Sequence, residues 1–431
     1  MLAVYNLIFL FALLLSSPVL LYLAIVRGHS LKERLGFHNK EALISLGDRP
    51  RVWFHAASVG EVKVLAAFLP HFKSEFPDYK IVISTTTKTG KAQAKRLIPD
   101  ADFLTYLPID LYWCVKKALR SFNPQALVIV ETELWPNLLG VAGKLRIRVF
   151  LINGRISAKS FPKYRKFKFF FASVLSEVDS FLMQTETDRE RILKTGAPPG
   201  SVKVVGNTKF DYLSLKERLV DGDRRDGLSE LLSGRQIVVA GSTRRGEEEV
   251  VLDAFRALRS NRKDSLLILA PRHLSRLKEV ESLLNRGGWR FLRRRQLEKI
   301  KGNNSVDVIL LDTMGELLIF YSLAEVAFVG GSLVPVGGHD PLEPAAFAVP
   351  VLFGPYMENA SDSRALLLKS GGALEVKNGP ELAESLIELL TDQAKRRDMG
   401  LSAQRVIEEN SGTCSKIVRI LKARLSAGSN R

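Results

Sequence analysis

Residues 126–138 read ALVIVETELWPNL, and the first five of them form an unbroken apolar run. A run of this kind, without polar alternation, is typical of a parallel strand that is buried on both faces of its sheet. Glu131 follows the run directly, and Trp135-Pro136 then fixes a loop or the first turn of a helix. A buried strand that leads into a helix is the repeating unit of βαβ folds, so this stretch predicts a parallel α/β sheet.

Similar apolar runs recur along the chain in two series. The first series predicts strands at 51–56, 80–85, 126–130, 148–153, 181–185 and 202–207. The second series predicts strands at 236–242, 265–271, 307–313, 326–331 and 350–354. The charged residues 212–234, which lack a strong apolar run, join the two series. The sequence therefore predicts an α/β protein of two doubly wound, Rossmann-like domains that face a cleft and bind ligands at the carboxyl ends of their strands.

Length and composition agree with this organisation. The chain has 431 residues, and roughly 100–200 residues per domain favours two domains. A hydrophobic fraction of 46% and a charged fraction of 25% exclude a disordered chain, a collagen-like fibre and a many-pass membrane protein. The net charge of +17 indicates anionic partners: nucleic acid, a phosphorylated ligand or an acidic membrane. The two cysteines, Cys114 and Cys414, form neither a metal motif nor a disulfide scaffold, which favours a reducing, cytosol-facing compartment.

Residues 1–26 contain no charged side chain. About 20 apolar residues suffice to cross a ~30 Å hydrocarbon core. The segment lacks the basic start and the cleavage site of a signal peptide, and Arg27, Lys32 and Arg34 after it indicate a cytoplasmic flank. We expect a single N-terminal membrane-anchor helix over 1–26. Because Pro18 weakens a regular span, a helix that lies along the membrane or against the protein body is the alternative.

The first segment with potential chemistry is HAASVGE at 55–61. Ser58 stands three residues before Glu61, which is the spacing of a helix capping box and needs no further function. Glu61 also lies where a strand ends, and a carboxylate there could take a proton from a sugar hydroxyl as it attacks. Gly60 would let an acceptor approach the backbone closely.

Four further charged residues follow strands of the first series. Glu131 and Glu133 could serve the reaction, or they could pair with Arg155 or Lys144 for structure alone. Arg155 and Lys209 each follow a turn with Gly or Asn, and either cation suits a bound anion or a developing negative charge. Solvated turns are the alternative interpretation of both segments.

The stretch KSFPKYRKFKFFF at 159–171 carries five cations among six aromatic residues. Cations attract anionic lipid headgroups, and Phe and Tyr insert at the membrane interface. Such a patch could also bind RNA by stacking and charge, or form a solvated helix face. We favour membrane contact because an apolar segment precedes it in the chain.

The second series carries a nucleotide-type site. No Walker A motif occurs in AGSTRRGEEE at 240–249, although backbone N–H groups of its turn could hold an anion, and no GxGxxG follows a strand, which argues against a dehydrogenase. The stretch 328–355 places two Gly-Gly turns before a short helix that begins near Pro341. Glycines allow a ligand to approach the backbone, a helix start offers N–H groups to phosphate, and Glu343 can accept from ribose hydroxyls. We therefore predict a nucleotide-sugar site.

Seven segments in this order resemble the 3-deoxy-D-manno-octulosonic acid (Kdo) transferases of lipopolysaccharide assembly. They are HAASVGE, ETELWPN, NGRIS, GNTKFD, APRH, TMGE and GGHDPLEPA, and the resemblance extends from the N-terminus to about residue 410. It implies a GT-B fold, a CMP-Kdo donor and a lipid A precursor of the lipid IVA type as acceptor. With it we assign an anchor helix at 1–26, an acceptor-binding domain at 27–215, a CMP-Kdo-binding domain at 216–410, and a C-terminal helix and tail at 411–431.

The resemblance also implies residue roles. Glu61 would be the catalytic base, and Glu131 and Lys209 would assist the transition state. The implied CMP contacts are Pro271, Arg272, Met314, Gly315, Glu316, Asp340, Pro341, Leu342 and Glu343. The family usually has Asn where this chain has Asp340, and a carboxylate cannot donate as an amide does. Thr208 stands where an apolar residue is common, and we expect little consequence.

The expected reaction is an inverting transfer of Kdo, because one base and a single displacement suffice. No DxD-type metal site is evident and CMP leaves as a monophosphate, so we expect no metal and no other cofactor in the protein. The expected partners are CMP-Kdo, the lipid A precursor and an anionic membrane surface, without nucleic acid; protein partners are left open. The expected location is the inner membrane of a Gram-negative bacterium, with the catalytic domains on its cytoplasmic face.

Two alternatives remain at this point. Another GT-B enzyme would keep the fold and the ribose contact of Glu343 but would lack HAASVGE and ETELWPN as a pair. A membrane-anchored RNA-binding protein would bind with a strong salt dependence and would be insensitive to substitution of Glu61.

Overall fold

The computed structural model describes residues 4–11, 13–15, 31–215, 220–299 and 306–426. The chain divides into two compact units: a first unit of Met1–Tyr212 together with Ser411–Arg431, and a second unit of Leu213–Asn410. The C-terminal segment, which we assigned as a separate helix and tail, thus belongs to the first unit, and the chain enters the second unit after Tyr212.

The first unit is built on a parallel sheet of seven strands in the order β3-β2-β1-β4-β5-β6-β7. The strands are β1 (Arg51–His55), β2 (Lys80–Thr85), β3 (Phe103–Tyr106), β4 (Ala126–Val130), β5 (Arg148–Gly154), β6 (Ser180–Met183) and β7 (Val202–Val204). The order reverses between β1 and β4, which makes this pair the topological switch point.

Helices cover both faces of this sheet. They are α1 (Leu31–Arg34), α2 (Lys40–Ile44), α3 (Val59–Glu75), α4 (Lys88–Leu97), α5 (Tyr112–Phe122), α6 (Pro136–Lys144), α7 (Phe161–Lys166), α8 (Lys168–Leu175), α9 (Glu186–Thr195) and α10 (Thr208–Ser214), with a 3₁₀ turn at Pro199–Ser201. Successive residues of β1 enter different cores: Trp53 packs in one, and Val52 and Phe54 pack in the other. Burial on both faces is the reason that these strands are apolar throughout.

The second unit repeats this plan with the order β10-β11-β9-β8-β12-β13-β14, again all parallel. Its strands are β8 (Gln236–Thr243), β9 (Ser265–Pro271), β10 (Phe291–Arg293), β11 (Val308–Leu310), β12 (Val326–Val329), β13 (Val351–Phe353) and β14 (Ala373–Glu375). The switch point is the pair β8 and β12.

The helices of the second unit also lie on both sides of its sheet, where two cores form. They are α11 (Gly222–Leu231), α12 (Glu247–Asn261), α13 (Leu277–Arg286), α14 (Leu317–Tyr321), α15 (Leu342–Ala345), α16 (Ser361–Ser370), α17 (Gly379–Thr391) and α18 (Gln393–Asn410), with 3₁₀ turns at Leu274–Arg276, Arg294–Lys299 and Glu358–Ala360.

The last helix, α19 (Thr413–Ser426), belongs to the first unit. The buried carboxylate of Asp211 accepts hydrogen bonds from three backbone N–H groups at the start of α19, at 3.0 Å from Gly412, 3.1 Å from Thr413 and 3.2 Å from Cys414. These N–H groups have no partner within the helix, so Asp211 caps α19 from 200 residues away in sequence.

The structure confirms the predicted α/β class with two parallel sheets, and each predicted strand overlaps an observed one. Three short strands, β3, β10 and β14, were not predicted, and all three lie at sheet edges. The boundary between the two units, after Tyr212, lies in the predicted joining stretch 212–234, and part of this stretch is helical. Ten of its residues form α11, because Asp221 caps the helix by accepting from the N–H of Arg224 at 3.2 Å.

Residues 4–11 and 13–15 of the expected anchor are helical, and the rest of 1–26 lies outside the described residues. The Tyr5 ring lies 5.9 Å from that of Phe170, and its hydroxyl donates to Asp110 at 3.0 Å. Asn6 donates to the Asn137 side chain at 2.9 Å. This described part of the helix therefore contacts the body of the first unit. In the part of the chain that the structure describes, no helix combines the length and apolarity that crossing a bilayer requires.

Candidate active site

The first group of site residues starts at the carboxyl end of β1, where α3 begins. The Ser58 hydroxyl accepts from the N–H of Glu61 at 3.3 Å, as the capping box predicts. The Glu61 carboxylate in turn accepts from the N–H of Ala57 at 2.7 Å and from the Ser58 hydroxyl at 2.8 Å. Cap and carboxylate thus hold each other in one orientation, in a side chain that is only 7% exposed.

Burial raises the pKa of the Glu61 carboxyl, and the hydrogen bonds from Ser58 and Ala57 act in the opposite direction. A base needs a raised pKa in order to accept a proton, and it needs a fixed orientation in order to reach one. The capping interpretation of Glu61 is therefore correct for its backbone N–H. The Glu61 carboxylate has the raised pKa and the fixed orientation that a base needs.

Glu131 follows β4, the strand beside β1 across the switch point. Its backbone is left-handed, with φ of +60°, which a residue other than glycine rarely adopts. Burial, followed by the nearby charge of Glu61, raises the pKa of the Glu131 carboxyl to about 7, while Arg155 and Lys209 oppose the rise. Glu61 and Lys209 thus both act electrostatically on the Glu131 carboxyl, which places the three charged groups near one another.

Glu133 has a hydrogen-bond partner in its own loop. Its carboxylate accepts from the indole N–H of Trp135 at 2.8 Å. Burial and the charge of Glu61 raise the pKa of its carboxyl, so it adds to the same cluster of acids. The expected alternative partner Lys144 lies elsewhere, 5.6 Å from the centre of the Tyr112 ring.

A hydrogen-bond network positions Lys209. Asn153, with φ of +53°, accepts at its side chain from the N–H of Thr208 at 3.1 Å. The Gln184 side chain donates to the Asn153 carbonyl at 3.0 Å and accepts from Asn207 at 3.0 Å. Asn207 then accepts from the N–H of Lys209 at 2.9 Å. Gln184, which the sequence analysis did not single out, therefore joins the NGRIS and GNTKFD segments; its place at the end of a predicted strand was the available signal.

The second unit builds a loop at its own switch point around Glu247, a fully buried acid in the first turn of α12. Its carboxylate accepts from the N–H groups of Arg244 (2.8 Å), Gly331 (2.6 Å), Ser332 (2.9 Å) and Leu333 (2.8 Å). We expected N–H groups of the 240–249 turn to be available to an anion. The structure assigns that of Arg244 to Glu247 instead.

The expected CMP contacts at β9 and α14 differ in accessibility. Pro271 ends β9 and is buried, and the exposed Arg272 follows it. Met314 is 72% exposed, and Gly315 is left-handed with φ of +85°. Glu316, in contrast, is buried, and its carboxylate accepts from Arg294 at 3.2 Å and from the hydroxyl of Thr313. The Glu316 carboxylate thus already has hydrogen-bond partners within the protein.

The remaining expected contacts surround α15. Asp340 accepts at its side chain from the N–H of Leu342 at 3.2 Å. Pro341 and Leu342 are buried, and Glu343 is half-buried. Glu343 and Asp340 both act electrostatically on Tyr321, whose pKa is raised first by burial. The two acids therefore lie on one side of this loop, and Leu342 has only its backbone to offer a ligand.

Among the described residues, one group has the donor atoms for a metal ion: His71, Asp211 and Cys414, whose candidate atoms lie within 4.8 Å of one another. Both carboxylate oxygens of Asp211 already accept backbone N–H groups of α19. Burial and the neighbouring Asp211 carboxylate raise the pKa of the Cys414 thiol, so it remains protonated. We interpret this group as a helix cap with a buried thiol.

Comparison with known proteins shows which family this sequence matches. Residues 29–212 match the family described as 3-Deoxy-D-manno-octulosonic-acid transferase (kdotransferase). A 3-deoxy-D-manno-octulosonic acid transferase of Haemophilus influenzae is 34% identical over 394 residues, which are 91% of this chain and 90% of that protein. A bifunctional glycosyltransferase/methyltransferase of Fusobacterium nucleatum is 37% identical over 344 residues, 79% of this chain and 53% of that protein, so the chain spans about half of that relative.

The solved structures show the fold. A putative UDP-N-acetylglucosamine 2-epimerase from Listeria monocytogenes superimposes with a TM-score of 0.62 and 14% identity, over 88% of this chain and 97% of that one. The shared feature is a GT-B-like fold with two parallel, Rossmann-like sheets. At this identity, the likeness concerns the fold alone.

Proposed function

The chain belongs to the 3-deoxy-D-manno-octulosonic acid (Kdo) transferase family, and we propose that it transfers Kdo from CMP-Kdo to a lipid A precursor with Glu61 as the catalytic base. The observation that supports this most strongly is the position of Glu61, buried and held by two hydrogen bonds, beside Glu131 at the first switch point. Open α/β sheets bind their ligands at such points.

In the proposed reaction the Glu61 carboxylate takes the proton of the acceptor hydroxyl. The hydroxyl oxygen attacks the anomeric carbon of Kdo, and CMP leaves with the bonding electron pair. A single displacement of this kind inverts the configuration at that carbon. The bonds from Ala57 and Ser58 keep the carboxylate aimed while it changes its protonation state.

Glu131 has a supporting role in this proposal. With a pKa of about 7, it exchanges its proton with solvent near neutral pH. A protonated Glu131 beside Glu61 removes a like-charge repulsion and can donate a hydrogen bond to the reacting oxygens. Lys209 supplies positive charge to the same region and would stabilise the negative charge that develops there.

We assign the donor to the second unit, with CMP contacts at Arg272, at 314–316 and at 340–343. Arg272 is exposed at the end of β9 and would meet the phosphate. Asp340 stands where the family has Asn, and its carboxylate accepts a backbone N–H within the loop. We expect Asp340 to act through this loop and not through donation to the nucleotide. The proposed reaction uses no metal ion.

We assign the acceptor lipid and an anionic membrane surface to the first unit, on the cytoplasmic face of the inner membrane. Phe167 and Phe169 are exposed, the latter to 82%, and Lys166 and Lys168 are adjacent to them in the sequence. The neighbouring Phe170 contacts Tyr5 of the N-terminal helix, so these aromatic residues and the helix form one surface. The exposed apolar side chains of that helix are Val4, Leu7, Ile8, Phe11, Leu14 and Leu15.

The test is transfer of Kdo from freshly generated CMP-Kdo to a tetraacyl lipid A precursor, with products identified by mass spectrometry. Glu61→Gln keeps the shape but cannot take the proton, so we expect its kcat to fall by at least about 100-fold. Glu75→Gln is the matched control, because Glu75 is the last residue of the same helix and pairs with Lys422 at 2.6 Å. A folded Glu61→Gln variant with wild-type kcat would exclude Glu61 as the base, and a wild type inactive with intact donor would exclude the substrate.

A further inference from the structure

Arg244 is the residue immediately after β8, at the switch point of the second unit. Its guanidinium donates from Nε to Nε2 of His339 at 3.2 Å, and one terminal nitrogen lies 2.7 Å from Nε2 of His273. Because a guanidinium only donates, both imidazole nitrogens must accept. The two imidazoles act as acceptors in this arrangement, and they hold Arg244 between two different loops.

The neighbouring arginines differ from Arg244 because they pair with carboxylates. Arg245 pairs with Glu279 at 3.1 Å, and Arg276 pairs with Glu248 at 2.7 Å. The contacts of the Arg244 side chain, within the described residues, go to imidazoles and not to carboxylates. Neutral acceptors orient a cation without cancelling its charge, so Arg244 keeps its full positive charge at the site.

The electrostatic surroundings of His339 indicate a concentration of cations. Burial, followed by the charges of Arg244, Arg272 and His273, lowers the pKa of His339 to about 4, with Asp340 in opposition. The cationic groups come from the ends of β8 and β9, and His339 and Asp340 come from the loop after β12. The carboxyl ends of two neighbouring strands thus bring positive charge close to the loop that follows β12.

The backbone of Arg244 is fixed as firmly as its side chain. Its N–H donates to the buried Glu247 carboxylate, which also binds the N–H of Gly331 in the loop that carries His339. One acid thereby fixes the backbone of Arg244 relative to the loop that carries His339. A preorganised cation of this kind loses little freedom when a ligand binds.

We propose that Arg244, oriented by His273 and His339, binds an anionic group of the nucleotide-sugar donor. This inference rests on the proposed function, because the donor offers two such groups, the phosphate of the nucleotide and the carboxylate of the sugar acid. Both present paired oxygens that match a guanidinium.

The experiment compares Arg244→Gln with Arg245→Gln. The second substitution removes the same charge at the next residue, whose side chain is 81% exposed. Calorimetry with CMP and with cytidine isolates the phosphate, and the KM for CMP-Kdo adds the carboxylate. If Arg244 binds the phosphate, CMP binding weakens about 10- to 100-fold and cytidine binding is unchanged. If it binds the carboxylate, CMP binding is unchanged and the KM for CMP-Kdo rises by a similar factor. Arg244→Lys, which keeps the charge, should recover part of either loss.

Three outcomes would overturn the inference. The first is that neither CMP binding nor the KM for CMP-Kdo changes in Arg244→Gln. The second is that cytidine binding weakens as much as CMP binding, which would indicate a disturbed loop. The third is an equal effect of Arg245→Gln. A wild type that binds no CMP would instead overturn the proposed donor, and the role of Arg244 with it.

Discussion

The two units place their polar groups at the same topological position and give them opposite charge. In the first unit Glu61 and Glu131 follow β1 and β4; in the second, Arg244 and the Gly330-Gly331 turn follow β8 and β12. Both pairs of strands are the switch points of seven-stranded parallel sheets. The fold therefore determines where a ligand can bind, and in the reaction that we propose the side chains at that place determine whether the unit removes a proton or holds an anion.

Burial also has opposite consequences at the two places. In the first unit it raises the pKa values of carboxyl groups, so Glu131 titrates near pH 7. In the second unit it lowers the pKa of His339 to about 4, which keeps that imidazole a neutral acceptor. The same desolvation that prepares acids for proton transfer thus keeps a histidine uncharged beside an arginine.

The largest effect that we expect in this comparison comes from Glu247→Ala. The substitution leaves four buried or half-buried N–H groups without their acceptor, and we expect a loss of about 3–5 kcal/mol in the stability of the second unit. Hydrogen exchange followed by mass spectrometry would show faster exchange at residues 331–333, with the first unit unchanged.

Glu249→Ala is the control for this substitution, since Glu249 is exposed on the same turn of α12. Faster exchange spread equally over both sheets would contradict a role of Glu247 in this loop alone. Unchanged exchange at 331–333 would contradict the role altogether.

A smaller effect, with a pH dependence, is expected from Glu131→Gln. The folded-state pKa of Glu131, about 7, lies above the ordinary value of 4.5, so the folded protein keeps this proton more tightly than the unfolded chain does. The stability that this group contributes is complete below about pH 4.5 and is lost as the pH rises through 7. Glu131→Gln lacks this loss and should be more stable than wild type at pH 8 by about 1–3 kcal/mol.

Thermal unfolding at pH 5 and pH 8 tests this sign. The melting temperature of Glu131→Gln should exceed that of wild type at pH 8 and approach it at pH 5, although its activity falls. An equal shift at both pH values would mean that the substitution changes packing and not a titration. Titration of Glu131 would then not explain the effect, and the contrast between the acids of the first unit and His339 of the second would not hold.

Burial explains which strands could be predicted from the sequence. The interior strands are apolar at nearly every position because helices cover both faces, and these runs predicted them. The edge strands β3, β10 and β14 contain only three or four residues each and are partly exposed, so no apolar run marks them. The cap between Asp211 and α19 joins residues 200 positions apart, a distance at which no local pattern operates.

The candidate site shows the same limit. Motifs at strand ends identified Glu61, Glu131 and Lys209, since the carboxyl ends of parallel strands meet at one edge of a sheet. They could not show the direction of a side chain: Glu316 binds Arg294, and Leu342 points into the core. Arg244 and Glu247 were missed as site residues because their partners, His339 and Gly331, lie more than 80 residues away.

The smallest effect concerns the cap that both orients and acidifies Glu61. Ser58→Ala removes the acceptor of the Glu61 N–H and should cost about 1 kcal/mol of stability, far less than Glu247→Ala in the other unit. It also removes the hydroxyl that donates to the Glu61 carboxylate, a bond that lowers the pKa of this group. The pKa of Glu61 should therefore rise. Since the base acts only when ionised, the acid limb of the pH dependence of kcat/KM should move to higher pH, and Ser58→Thr should restore it. An acid limb that stays in place while stability falls would mean that Ser58 only caps α3, and that another group sets the ionisation of the base.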